Sequence, residues 1–138
     1  MFEAAGLPHA ETIELVPNSR RALVLAEYAR EVGRFDEVHS RLFRAYWVEG
    51  RDIGSDDVLL AVAADAGLDP GEASARLGDP GLLRIVQEQT NEALGHGAGG
   101  VPAWAIDERV LVPGAQPHEV FERVLEQLGH APVEGDSA

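Results

Sequence analysis

The feature that most limits how this chain can fold is a change of hydrophobic period at a glycine-rich segment, Gly95-His96-Gly97-Ala98-Gly99-Gly100. Before it, apolar residues recur three and four apart, the spacing of a helix face. After it they run as short extended stretches, the spacing of strands. The chain must therefore join a helical block, residues 18–95, to a smaller β-containing piece, residues 100–129, through a flexible hinge. Its 138 residues suffice for one domain with a core that needs no disulfide or metal staple.

The helical block is punctuated clearly. Asn18 caps a first helix carrying Ala22, Leu25, Ala26, Ala29 and Val32, and Gly33 stops it. A second helix carries the most regular stripe, Phe35, Val38, His39, Leu42, Phe43 and Tyr46, and ends near Gly50. Ser55 caps a third, with Asp56 and Asp57 in the first turn, where the helix dipole favours anions. Asp69-Pro70-Gly71-Glu72 places a cap, a proline at the first helical position and an acid three residues after the cap. Asp79-Pro80 repeats the device and opens a helix with Leu83, Val86, Thr90, Ala93 and Leu94 on one side. Ahead of the block, Thr12-Ile13-Glu14-Leu15-Val16 alternates like a short strand and stops at Pro17.

Beyond the hinge, Val101-Pro102-Ala103-Trp104-Ala105-Ile106 and Val110-Leu111-Val112 read as two strands joined through Asp107-Glu108-Arg109, a β-hairpin. Pro113-Gly114 ends the second strand. Gln116-Pro117-His118-Glu119 then starts an amphipathic helix with Phe121, Val124, Leu125 and Leu128 inward and Gly129 as its stop. Residues 130–138 read as a frayed tail.

Composition removes several function classes. There is no cysteine, so these residues hold no thiol for disulfide exchange. All eleven basic residues are arginine, which excludes Schiff-base lysines and a phosphate-loop lysine. A net charge of −13 with scattered arginines repels nucleic-acid backbones. The expected partners are neutral molecules or other proteins, with no nucleic acid and no membrane. The N-terminus has no basic segment ahead of an apolar run, so a cytoplasmic location is the default expectation.

Candidate chemistry is sparse. His9, His39, His96, His118 and His130 form no i,i+3 or i,i+4 pair, so no metal site is expected. His39, on an apolar stripe, reads as a core-edge histidine bonded to a backbone carbonyl, and His96 as a solvated loop residue. No serine sits in a nucleophile elbow, and the carboxylates stand where helix starts and turns want them. No catalytic residue is assigned. The combination Gly100-Val101-Pro102, hairpin, Gly114-Ala115-Gln116-Pro117 and helix remains. By spacing alone Pro102 is an ordinary trans proline at a strand start; a cis bond would let the Val101 N–H and C=O face outward to an added strand.

Four segments together resemble the DsbA-like branch of the thioredoxin superfamily, in particular the group of 2-hydroxychromene-2-carboxylate isomerases and cytoplasmic DsbA oxidoreductases. They are Pro17-Asn18-Ser19-Arg20-Arg21-Ala22-Leu23, Leu42-Phe43-Arg44-Ala45-Tyr46-Trp47-Val48-Glu49-Gly50-Arg51-Asp52-Ile53-Gly54, Gly100-Val101-Pro102-Ala103-Trp104 and Gly114-Ala115-Gln116-Pro117. The resemblance implies one α/β thioredoxin-like domain over residues 1–138, truncated, with a mainly helical insertion followed by the hairpin and last helix. It implies a cis Pro102. It also implies that Val101, Pro102, Ala115 and Gln116 bind a peptide or a glutathione-like ligand, the last two at the N-terminus of the final helix. No other cofactor is expected.

The family's first strand, its active-site turn and helix, and its second strand have no counterpart in these residues. The strand after Pro102, which in the family pairs with that first strand, is then an open edge. Pairing between two copies, a homodimer, or cover by residues 12–16 would close it. Two readings follow: a binding or assembly module, or gene remnant, without redox catalysis, or one half of an oxidoreductase or isomerase whose active-site turn comes from another chain. An unrelated helical interaction domain would require the four matches to be accidental.

Overall fold

A computed structural model describes residues 6–10 and 16–130. The chain divides into two compact units, Met1–Gln89 and Thr90–Ala138. The boundary falls inside a helix and not at the glycine hinge, because the hinge is itself folded: the Ala98 N–H returns to the Ala93 carbonyl at 2.9 Å and Gly97 takes a left-handed φ of 89°. Among the described residues no helix is long and apolar enough to cross a membrane.

The first unit is helical. Helix α1 is Arg20–Glu31, α2 Phe35–Phe43, α3 Asp56–Asp65 and α4 Pro70–Leu77; α5, Pro80–Gly95, begins here. Helix α1 packs on α2 and α4, and α3 on α2 and α4. The shared core takes Leu25 from α1, Val38 and Leu42 from α2, Leu59, Val62 and Ala63 from α3, Ala73 and Leu77 from α4, and Leu82 and Val86 from α5. Alanines at 22, 26, 29, 63 and 73 are buried at these contacts and let the helix backbones approach closely. Each fully buried leucine contributes about 2 kcal/mol of transfer free energy.

Helix ends follow local chemistry. Asn18 Oδ1 accepts the Arg20 N–H at 3.0 Å, although Ser19 is the N-cap residue. Asp69 Oδ1 accepts the Glu72 N–H at 2.8 Å. Asp79 Oδ1 accepts from Gly81 at 2.7 Å and Leu82 at 3.3 Å, and its other oxygen meets Arg76 at 2.5 Å. The Gly81 N–H above all, aided by Leu82 and Arg76 and opposed by desolvation, holds the Asp79 carboxyl below the usual carboxylate range. Arg34 closes α3 by donating to the Ala66 carbonyl from Nε at 3.2 Å and Nη2 at 2.6 Å. The φ of Gly67 is +78°, a left-handed conformation that favours glycine, and a Cβ there would lie 3.0 Å from the Arg34 guanidinium. Burial, and then the Glu72 carboxylate, push the Tyr28 phenol above its ordinary value.

Several expectations are corrected. The second helical stripe is not one α-helix: after Phe43 it becomes a π-helical stretch, Arg44–Val48. Ser55 occupies the N-cap position of α3 but its side chain makes no capping bond. In α5 the buried residues are Leu82 and Val86, while Leu94 is 56% exposed. His39 is exposed and stacked between Phe35 and Phe43, with ring centroids 5.1 and 4.8 Å away, and is no core histidine. Four of the five residues of the expected Thr12-to-Val16 strand lie outside the described residues; Val16 itself is exposed and outside any element.

The second unit holds the end of α5, strands β1 (Ala103–Ile106) and β2 (Val110–Pro113), and α6 (His118–Leu128). The strands form a two-stranded antiparallel sheet with Trp104 opposite Val112 and Ala105 opposite Leu111. Asp107 and Glu108, both with positive φ, make the reversal. His130, read as the start of a frayed tail, instead ties α6 to that turn: its Nε2 meets Asp107 Oδ2 at 2.7 Å.

Candidate functional site

The residues singled out by sequence converge at the start of β1. Gly114 N–H donates to the Pro102 carbonyl at 2.8 Å, drawing Val101-Pro102 and Gly114-Ala115-Gln116 together. The Val101–Pro102 peptide bond is cis. Gln116 folds back, its Nε2 donating to the Pro113 carbonyl at 2.7 Å. Ala115 and Gln116 therefore lie ahead of the last helix and not in its first turn, which begins at His118 behind Pro117. They follow Gly114, which bonds to Pro102, but do not carry the free N–H groups of that helix.

Register determines which backbone groups are available. The bond from Gly114 to Pro102 makes residues 102 and 114 a hydrogen-bonded pair. Antiparallel pairs alternate, so residues 104 and 112 bond inside the ladder while the N–H and C=O of Ala103 and Ala105 point away from β2. Val101 is 97% exposed, and its backbone makes no hydrogen bond among the described residues. Within the described residues no strand pairs on that side of β1. The result is a run of unsatisfied backbone donors and acceptors at Val101, Ala103 and Ala105.

The two sheet faces differ. Trp104 and Ile106 share one face, where the Trp104 ring meets Phe121 of α6 edge-on at 5.5 Å; Trp104 nevertheless stays 51% exposed. Helix α6 has an apolar side of Val120, Phe121, Val124 and Leu128, but none of its residues is fully buried. Ala103 and Ala105 lie on the other face. There a cavity of about 450 Å³ opens over Ala105 and Leu111, rimmed by Glu92, His96, Glu108 and Arg109. Sequence reasoning did not find this cavity, because it brings residues of α5 to the hairpin and no local pattern marks that meeting.

Other candidates are structural. His118 pairs with Glu122 at 3.3 Å on the surface of α6. In the long segment that carries the family likeness, Arg44 and Arg51 converge on Glu49 at 3.1 and 3.6 Å, and Asp52 Oδ1 accepts the Gly54 N–H at 2.8 Å. These contacts shape the loop after the π-helical stretch. Among the described residues no three His, Cys, Asp or Glu side chains are placed to hold a metal ion.

A strand entered through a cis proline, paired in a hairpin and followed by a helix packed on the sheet, with a helical block before it, defines a thioredoxin-type domain of the DsbA kind. The chain matches the DSBA-like thioredoxin domain over residues 4–126, and it belongs to that family. It is similar to the uncharacterized protein YwbO of Bacillus subtilis, 30% identical over 103 residues, covering 71% of this chain and 49% of that protein. Its fold superposes on the crystal structure of a probable DsbA oxidoreductase from Streptomyces coelicolor with a TM-score of 0.79 and 31% identity, over 99% of this chain and 60% of that one. The chain thus spans about half the length of the curated relative and three fifths of the solved one.

Proposed function

We propose that these residues act as a binding or assembly module, the ligand-accepting part of a DsbA-like domain, without thiol–disulfide chemistry of their own. The observation that carries this reading is the free backbone of Val101, Ala103 and Ala105 beside a half-exposed Trp104. Such an edge accepts an extended segment as an added strand, gaining main-chain hydrogen bonds. A peptide fits this role, as does a glutathione-like ligand at Val101, flanked by Ala115 and Gln116. A second copy of the chain fits as well, giving a homodimer. With no cysteine in 138 residues, electron transfer would need a thiol from outside them.

Amide hydrogen exchange tests the reading. The N–H groups of Val101, Ala103 and Ala105 should exchange rapidly in dilute protein and slow down when an extended ligand is added or the protein concentration is raised. Slow exchange at all three in dilute monomer, or acceleration of dithiol-driven insulin reduction by the chain alone, would overturn it.

A second reading draws on the Streptomyces structure, which is called a probable DsbA oxidoreductase. Here the same edge belongs to an oxidoreductase or glutathione-dependent isomerase whose active-site turn comes from outside residues 1–138. Recovery of activity when such a segment is supplied distinguishes it from the first.

A further inference from the structure

We draw no further inference here: the strongest candidate, the aromatic face of α2 where His39 stacks between Phe35 and Phe43 and the Arg30 guanidinium lies over the Phe35 ring, carries nothing, because Phe43 stands 55% exposed there and nothing in the structure shows what covers it.

Discussion

The helical unit and the hairpin unit meet the cost of folding in opposite ways. The helical unit gathers eighteen buried apolar residues into one cluster, from Ala22 to Val86. Among the described residues the hairpin unit has one, Val112, and its helix α6 has none. Both units are locally well specified, with caps, turns and amphipathic faces in order. The difference is that the first packs four helices and the start of a fifth around one cluster, whereas in the second a two-stranded sheet meets a single helix and Trp104 stays half exposed. A two-stranded hairpin by itself is marginal. The unit with the weaker core is the one that carries the available surface, as binding segments are drawn from the less stable parts of a fold.

The comparison breaks most readily in the core. Leu25→Ala, at a side chain only 1% exposed, should cost about 3 kcal/mol in urea unfolding followed by far-UV circular dichroism. A loss below about 1 kcal/mol would mean that the helical unit does not depend on this cluster.

Next in size is the junction before α5. Asp79→Ala removes the acceptor for two N–H groups and the partner of Arg76, and should lower the urea midpoint measurably at neutral pH, by less than the core substitution. Because the folded state holds the Asp79 carboxyl below its ordinary range, its contribution is present above the unfolded value and is lost as pH falls through the folded one. The wild type and the variant should therefore converge in stability only once the pH has fallen below the folded value of Asp79, and a gap that persists there would refute the capping role.

The smallest effect belongs to the hairpin unit. His130→Ala breaks an exposed pair with Asp107 and should change the free energy of unfolding by no more than about 0.5 kcal/mol. A larger loss would show that this clasp, and not the thin apolar contact of Trp104 with Phe121, holds the unit together.

Much of the fold was legible because its signals are local. Asp69 and Asp79 announced their helices through a cap residue followed by proline, with Glu72 adding an acid in the first case. Gly33 and Gly129 announced stops, and the alternation around Trp104 announced the hairpin. What misled was the second helix, where one continuous stripe at 3.6 spacing concealed a change to π geometry at Arg44. Periodicity records which side chains are apolar and not which hydrogen bonds the backbone closes. His39 misled for a related reason: two phenylalanines four residues on either side look like a core stripe, yet the ring they contact is itself exposed.

The candidate site divides the same way. The absence of cysteine and lysine, the sign of the charge and the segments around Pro102 and Gln116 are properties of the chain itself, and they bound the chemistry before any folding. Which backbone groups of β1 bond to β2, that Gln116 turns back to the Pro113 carbonyl, and that Glu92 and Glu108 line one cavity with Ala105 were decided only by the tertiary structure. Those facts depend on strand register and on residues brought together from different elements, and no local preference encodes either.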